Sequence, residues 1–503
     1  MVNISTRREF VWDDFIIDIK KTTAERRVHN PVRREDVIVF DKPWEGDGCC
    51  YFNTVYDEEK HSYRMYYAAW EMLSVDGKTH TTQYVKFCVI ESKDGIHWER
   101  PNLGLVEFDG SKDNNIVIAP SLFENLVNVD NFYVTLDTNP NPAVSGKYKA
   151  VMAFPERQQD GSIDLQLASL TSDDGYTFRK AGIITRKGYF DTLNTVMWHE
   201  ATGQYICYCR SFHEPGTFAE PSKDEKDRNR LVRDIRVMFS KDFISWSEPE
   251  PLDFGTAEDF PLYTNAVTPY PGAEHMLVGF PTRYVERPEW TGNFDRLCGS
   301  EKRAERCKVH PRYGLATTDC LFMCSRDGKH FTRYDEAFIK PGPEFPANWV
   351  YGSCYPNVGL ITSKGFVEGS DDELSMYGND NHWMSKPAIL FRMAIRKDGF
   401  VSLHAGIKPE KIITKSFTFD GDMLLINFST SARGYMYVRI ISDDGSAMLS
   451  SCELFGDRAN RIVDFDGSVA ALAGKSVHIE IDMCDADFYA FQFQCCCSNR
   501  SVR

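Results

Sequence analysis

The stretch SKDGIHWERP, from Ser92 to Pro101, has the composition of a tight turn that is closed by an aromatic side chain. Gly readily adopts a positive φ, and an Asp side chain accepts hydrogen bonds from the backbone that follows it. The same spacing of Ser, Asp, Gly and an aromatic residue recurs along the chain. The copies are Ser172–Phe178, Ser325–Phe331, Ser240–Trp246 (with Phe243 in place of Gly) and an incomplete one at Arg396–Phe400. Their aspartates are 68 to 85 residues apart, which indicates a repeated unit and not an isolated turn.

Each turn follows three short runs of β-branched and aromatic residues, the composition typical of strands. In the first unit these runs are Cys50–Tyr56, Tyr63–Trp70 and Val85–Ile90. Units of this length with three or four strands each are typical of propeller blades. The sequence therefore predicts an all-β protein whose residues 1–405 form a five-bladed β-propeller, with residues 1–35 as a lead-in.

After Gly406 the pattern changes to shorter alternating modules, including Phe417–Phe428, Gly434–Ile441 and Val477–Asp482. Alternation of apolar and polar residues predicts half-buried strands. We expect residues 406–503 to form a separate C-terminal β-sandwich, which serves mainly for packing.

The composition argues against several classes of partner. The net charge of −15 disfavours nucleic acid and anionic membrane surfaces, which attract basic patches. No apolar run reaches the roughly 20 residues that span a bilayer, and the first residues lack the apolar core of a signal peptide. The 15 cysteines are odd in number and include the adjacent Cys49 and Cys50, which favours reduced thiols and a cytoplasmic location.

The cysteines lack the paired spacing of a zinc site, so we expect no bound metal and no cofactor. A structural calcium ion on the propeller axis and a homo-oligomeric state stay open, because neither leaves a signature in this sequence.

Carboxylates occur where the first strand of each of the first four blades is expected to begin. In a propeller these positions converge on a central funnel, so carboxylates from different blades meet there. Hydrolysis of a glycosidic bond needs such a pair, one to protonate the leaving oxygen and one to attack the sugar or activate water. The candidate catalytic residues are Asp47, Asp130, Asp191 and Glu258.

Other polar and aromatic residues near these positions are candidates for binding a sugar. Each also has a structural interpretation, since Asp and Asn are common in turns, aromatic residues in cores and arginines in salt bridges. The candidates are Trp44, Glu45, Asn131, Asp137, Asn194, Arg210, Tyr263, Arg283, Trp349 and Tyr355.

Trp44-Glu-Gly-Asp47-Gly, followed directly by a strand, is similar to the Trp-Met-Asn-Asp-Pro-Asn-Gly motif of invertases. The chain as a whole resembles the five-bladed propeller glycoside hydrolases of the invertase/levanase and arabinanase/xylosidase groups. The resemblance implies that Asp47 is the nucleophile and that Asp130 stabilises the transition state, although the family's Arg and Pro beside Asp130 are missing. Asp191 stands where the family has its acid/base glutamate and Glu258 begins the next blade, so either of them is a candidate for the acid, and Asp137 is the alternative to Asp130 as the stabiliser.

The resemblance implies a glycoside hydrolase that acts on a small oligosaccharide or glycoside, such as a furanoside. A sialidase is the alternative within enzymes, because sialidases carry a similar Ser-Asp turn, but they have six blades and an arginine set that this sequence does not make obvious. A propeller that binds a carbohydrate or a protein without catalysis is the alternative outside enzymes.

Overall fold

The structure is a computed structural model that describes residues 2–75, 78–217, 221 and 230–496. The chain divides into two compact units. The propeller unit comprises Pro31–Ser363 and Ser375–Ala394, and the second unit comprises the residues up to Asn30, Lys364–Leu374 and the residues from Ile395 onward. The prediction of an all-β protein is confirmed. Blade 4 also contains three short helices that were not predicted from the sequence: Gly292–Arg296, Ser300–Val309 and Pro311–Leu315.

Five antiparallel sheets follow one another along the propeller unit, so the prediction of five blades is also confirmed. Blade 1 contains Cys50–Asp57, Ser62–Val75, Lys78–Ser92, Trp98–Glu99 and Ile116–Ile118. Blade 2 contains Asp130–Leu136, Tyr148–Arg157, Ile163–Ser172 and Arg179–Thr185. Blade 3 contains Thr195–His199, Gln204–His213, Val232–Ser240 and Glu250–Pro251. Blade 4 contains Thr268–Pro269, Leu277–Gly279, Thr282–Glu286, Ala316–Ser325 and Thr332–Ile339, and blade 5 contains Ile361–Ser363, Glu373–Asp380, Ala388–Arg396 and Val32–Phe40.

The propeller closes by strand pairing between its two ends. Val32–Phe40 comes first in the sequence of the propeller unit but is the fourth strand of blade 5, antiparallel to Ala388–Arg396, with Phe40 opposite Ala388. Because this pairing joins the start of the propeller to its last blade, the ring cannot open without breaking a sheet.

Hydrogen bonds near the inner strands join each blade to the next. In order around the ring they run from Val134 N to Asn53 Oδ1, Asn131 Nδ2 to Phe190 O, Asn265 Nδ2 to Leu193 O, Thr282 Oγ1 to Cys354 O, and Thr54 N to Val358 O. Most of these bonds use an Asn or Thr side chain, which supplies polar partners where strands of different sheets meet without a continuous ladder.

The four complete Ser-Asp turns have one geometry. In the first, Ser92 Oγ accepts a hydrogen bond from Gly95 N at 2.8 Å, and Asp94 Oδ1 accepts from the N–H groups of Ile96 and His97, both at 2.8 Å. The same pattern occurs at Ser172 and Asp174, Ser240 and Asp242, and Ser325 and Asp327. Phe243 takes the glycine position with φ 65°, so this turn keeps its shape without Gly.

The Ser-Asp turns also connect neighbouring blades. A buried tyrosine hydroxyl on the second strand of one blade donates to the carbonyl of the turn glycine in the next blade. The pairs are Tyr66 with Gly175, Tyr208 with Gly328, and Tyr377 with Gly95. The repeat therefore marks the points where blades are joined.

Tyr208→Phe is expected to lower the free energy of unfolding by roughly 1–3 kcal/mol, because it leaves the buried carbonyl of Gly328 without its donor. Denaturant titration of both proteins measures the change. Tyr56→Phe is the matched control, since Tyr56 is 40% exposed and its change should stay within about 0.5 kcal/mol. Equal stabilities of the Tyr208 and Tyr56 variants would contradict the proposed joining role.

The second unit is one hydrogen-bonded network of ten strands. Its two long strands, Met423–Ser442 and Val477–Gln494, pair antiparallel along most of their length. The residues before Asn30 contribute strands to this network and not to a blade. The remaining strands are Val2–Ser5, Arg8–Phe10, Glu25–Val28, Val401–Ala405, Glu410–Ile413, Phe417–Phe419, Met448–Ser450 and Asp457–Ile462. The two-layered sandwich and the boundary at residue 405 stay predictions.

The incomplete fifth copy of the turn lies in the second unit. Its Asp398 is fully buried and accepts hydrogen bonds from Arg8 Nε and Asn427 Nδ2, both at 2.8 Å. This aspartate thus joins the residues before Asn30 to the C-terminal strands.

Candidate active site

The chain enters every blade through a strained residue. A non-glycine residue with left-handed φ lies either within the first strand of each blade or in the segment leading to it: Tyr51 (53°), Asn131 (54°), Phe190 (54°), Ala266 (43°) and Cys354 (58°). Such conformations cost on the order of 1–3 kcal/mol each and cluster at functional sites, where the surrounding structure fixes them. The strained residues therefore favour the centre of the propeller as the position of a functional site.

Asp130 and Asp191 are neighbouring carboxyl groups at this centre. Burial and the negative charge of Asp191 raise the pKa of Asp130 to about 7. The side chain of Asp191 is 44% exposed, and its Oδ1 lies 3.8 Å from Nε of Arg210. Neighbouring carboxyl groups in such different environments are suited to different roles, one holding a proton and the other open to solvent.

A β-bulge orients Asp130. The pairing of Asp130–Leu136 with the next strand shifts between Asp130 and Phe132, so Asn131 is an extra residue in the strand. Asn131 Nδ2 donates to Asp130 Oδ1 at 2.9 Å and to Phe190 O at 3.0 Å. Bulges re-aim side chains in this way next to active sites.

Four tyrosines lie beside the carboxyl pair. The hydroxyls of Tyr263 and Tyr351 are 2.6 Å apart, and the ring of Tyr355 stacks on Tyr263 and on Tyr51 with centroids 5.6 and 6.2 Å apart. The guanidinium of Arg210 lies over the ring of Tyr263 at 4.8 Å and so connects the tyrosines to Asp191. Aromatic faces with polar edges are suited to a sugar, which has apolar faces and a rim of hydroxyls.

Several buried polar atoms around the pair have no hydrogen-bond partner among the described residues. Within the described part of the chain, Asn131 Oδ1, Arg210 Nε and Tyr355 Oη are buried without a hydrogen bond. Buried polar atoms are nearly always paired in folded proteins, so each unpaired one needs an explanation. An acceptor, a donor and a hydroxyl are the kinds of group that bind a ligand with several hydroxyl groups.

Asp47 lies in a different setting. It is 5% exposed, and its carboxyl oxygens accept hydrogen bonds from Met72 N at 3.1 Å and Ser385 N at 2.9 Å. Burial raises its pKa, and the nearby Glu71 adds to this effect. Asp47 lines a cavity of about 430 Å³ between blades 1 and 5.

Glu258 and Arg283 line a third region, a cavity of about 560 Å³. Glu258 is exposed, whereas Arg283 forms a two-pronged ion pair with Asp319 at 2.9 and 2.6 Å. The structure thus brings six predicted residues together: Asp130, Asn131, Asp191, Arg210, Tyr263 and Tyr355. Asp47 lines the 430 Å³ cavity instead, and Glu258 and Arg283 line the 560 Å³ cavity.

The remaining predicted residues all have internal partners. Glu45 accepts hydrogen bonds from Tyr67 and Arg100, Asp137 from Lys149 and Tyr205, and Asn194 from the backbone of Arg210. The indole nitrogens of Trp44 and Trp349 donate to Asn115 Oδ1 and Gly342 O. These contacts support the framework of the funnel, and a role of these residues in binding stays a prediction.

Four residues near the Asp130–Asp191 pair were not predicted from the sequence: Tyr51, Tyr351, Arg233 and Arg312. An aromatic residue at the start of an inner strand is a usable signal for Tyr51, the second residue of Cys50–Asp57, whereas Tyr351 lies in a turn before the inner strand Ile361–Ser363. Nothing local distinguishes Arg233 or Arg312 from surface arginines, because what sets them apart is the neighbours that the fold brings to them.

Among the residues that the structure describes, no group of three or more His, Cys, Asp or Glu side chains is arranged to hold a metal ion. In the same residues no helix has the length and apolar character to cross a membrane.

Comparison with known proteins gives similarities of structure only, since no family model matches the chain and no curated protein does. One similar structure belongs to a family of mannoside phosphorylases containing glycoside hydrolases that target β-1,2-mannosidic linkages in Candida mannan (14% identity, TM-score 0.42, 73% of this chain and 94% of that one). Another is a glycosyl hydrolase from Bacteroides ovatus (14% identity, TM-score 0.38, 74% of this chain and 94% of that one). A third is a β-fructofuranosidase from Bombyx mori (10% identity, TM-score 0.39, 93% of this chain and 94% of that one). At these values the similarity carries no information about activity.

Proposed function

We propose that the protein is a glycoside hydrolase whose reacting groups are Asp130 and Asp191. The observation that carries this proposal is the carboxyl pair itself: Asn131 donates to Asp130 Oδ1 and to the carbonyl of Phe190, the residue before Asp191, and burial and the charge of Asp191 raise the pKa of Asp130 to about 7. A carboxyl group that keeps its proton near neutral pH serves as a general acid. The more exposed Asp191 serves as its counterpart.

In the proposed reaction, Asp130 gives its proton to the glycosidic oxygen as the bond from that oxygen to the anomeric carbon breaks. Asp191 either bonds to the anomeric carbon or takes a proton from an attacking water. Arg210, 3.8 Å from Asp191, holds this carboxylate in place. The stacked rings of Tyr263 and Tyr355 receive the sugar face, and Asn131 Oδ1 and Tyr355 Oη, which have no hydrogen-bond partner among the described residues, bind its hydroxyls.

The substrate in this proposal is a short oligosaccharide or a simple glycoside, including furanosides. The resemblance of the Trp44–Gly48 segment to the invertase motif gives the role of nucleophile to Asp47 instead. Asp47 accepts two backbone hydrogen bonds and is nearly buried, so the geometry favours Asp191 for this role.

Wild-type protein is expected to hydrolyse at least one member of a panel of aryl furanosides and pyranosides. Asp191→Asn should lower kcat/KM on that substrate by about 10²–10⁴-fold, because the amide neither attacks carbon nor accepts a proton. Initial rates of aryl alcohol release measure the loss, and thermal melts verify that the variant is folded.

Glu258→Gln and Asp47→Asn are the comparison variants, since each changes one carboxyl to an amide outside the proposed pair. A loss of 10²–10⁴-fold in either of these variants, with Asp191→Asn fully active, would move the reaction to that residue. A wild type silent on every substrate, with sugar binding that survives all three substitutions, would favour a non-catalytic propeller.

A further inference from the structure

A buried arginine that forms no ion pair with any residue the structure describes lies next to the proposed site. Arg233 is 3% exposed, and its guanidinium rests on the ring of Tyr284 at 4.2 Å. In the described residues its Nε atom has no hydrogen-bond partner. The adjacent carboxylate, Asp234, is held by His213 at 2.9 Å and Arg236 at 2.7 Å, which leaves Arg233 unneutralised. Burying a charge without a partner costs several kcal/mol, so such a residue needs an explanation.

Two more arginines add positive charge at the same place. Arg210 lies one strand away on the same face of blade 3, where the ring of Phe212 is 4.5 Å from Arg210 and 5.8 Å from Arg233. Arg312, from the helix Pro311–Leu315, lies 5.7 Å from the ring of Tyr351. We call Arg210, Arg233 and Arg312 the arginine cluster. Burial and the charges of Arg210 and Arg312 lower the pKa of Arg233, whereas the neighbouring tyrosines Tyr351 and Tyr313 raise the pKa of Arg312.

The cluster has little negative charge of its own. Within residues 2–75, 78–217, 221 and 230–496, the carboxylate at ion-pair distance from Arg210 is the half-exposed Asp191 at 3.8 Å. Arg233 lines two cavities of about 500 and 560 Å³, and the acidic groups there hold other partners or lie open to solvent. Asp259 binds His213, Asp335 binds Arg333, Glu286 accepts from Tyr284, and Glu258 is exposed.

We propose that the arginine cluster binds an anionic substituent of the substrate, so that the preferred ligand is an acidic glycoside and not a neutral one. Guanidinium groups match the two oxygens of a carboxylate or phosphate group, and the stacking on aromatic rings holds Arg233 ready for such contacts. A sugar carboxylate and a sugar phosphate share this chemistry. As a statement about substrate, the proposal rests on the proposed function, because it places the sugar ring at the neighbouring Asp130–Asp191 pair.

The test is calorimetric titration of wild type with glucuronic acid, glucose 6-phosphate and glucose, together with thermal melts. The acidic sugars should bind at least tenfold more tightly than glucose and raise the melting temperature. Arg233→Met keeps the apolar stem but removes the charge. It should abolish the preference for acidic sugars and raise the melting temperature of the free protein, since an unpaired buried charge is lost.

Arg333→Met is the matched control, because Arg333 lines the 500 Å³ cavity but is paired with Asp335. It should keep the preference for acidic sugars. Equal binding of all three sugars to wild type, or an unchanged preference in Arg233→Met, would overturn the proposal. So would a fall in the melting temperature of free Arg233→Met, which would indicate a structural role.

The three ligands separate the two sources of the anion. Tighter binding of glucuronic acid identifies a sugar carboxylate, and tighter binding of glucose 6-phosphate identifies a phosphate ester. Since binding is measured without turnover, acidic sugars that bind through Arg233 but are not hydrolysed would reject the glycosidase proposal and leave the anion site in place.

Discussion

Asp130→Asn is expected to lower kcat by about 10²–10⁴-fold on glycosides with poor leaving groups, the range typical of a lost general acid. The amide has nearly the same shape and still accepts the hydrogen bond from Asn131, but it has no proton to give to the glycosidic oxygen. Activated glycosides, whose leaving groups depart without protonation, should lose much less activity. Rates on a series of aryl glycosides with leaving groups of increasing pKa measure this difference directly.

The pH profile gives a second measure of the same role. Because burial and Asp191 raise the pKa of Asp130 to about 7, wild-type kcat/KM should decline above roughly pH 7 as Asp130 loses its proton. Asp130→Asn should lack this decline. An Asp130→Asn variant that loses activity equally on all leaving groups, or that keeps the wild-type decline, would assign the proton donor to another residue.

The blades were predictable because their signal is local. Ser92, Asp94 and Gly95 bind one another within four residues, so the turn appears in the sequence as a fixed spacing and repeats wherever a blade does. Even Phe243, which breaks the pattern, keeps the hydrogen bonds of its turn. The three helices between Glu286 and Ala316 are an insertion within one blade. A pattern that repeats from blade to blade does not predict an insertion that occurs once.

The second unit was harder to predict because its pairings are remote in sequence. Val2–Ser5 pairs with Phe417–Phe419, more than 400 residues away. A strand of four residues has no local feature that identifies its distant partner. The residues before Asn30 therefore read as a lead-in to the propeller, although they contribute strands to the other unit.

The site could be predicted in position but not in the roles of its residues. Inner-strand starts do converge, which is why Asp130 and Asp191 were found from sequence. Glu45 has the same type of position, yet its carboxylate is occupied by Arg100, 55 residues away. A sequence shows which carboxylates lie at the starts of strands, but only the fold shows which of them form ion pairs with residues elsewhere in the chain.

The pH dependence of stability provides the last prediction. The pKa of Asp130 is about 7 in the folded protein and about 3.9 in an unfolded chain. Between these values the folded protein holds one proton more, so the contribution of Asp130 to stability is complete below about pH 4 and is lost as the pH rises through 7. Asp130→Asn removes this loss and should gain stability relative to wild type with rising pH.

Denaturant titrations at pH 5 and pH 8 should show this gain as a difference of about 2–3 kcal/mol between the two pH values, because the folded protein holds the extra proton over roughly two pH units, from 5 to 7, inside this window. In an Asp191→Asn background the gain should be smaller, because the charge that helps to raise the pKa of Asp130 is absent. The other titrating groups affect both proteins of each pair alike and cancel in the comparison. A stability difference independent of pH would mean that Asp130 ionises normally, and the proposed proton donor would lose its physical basis.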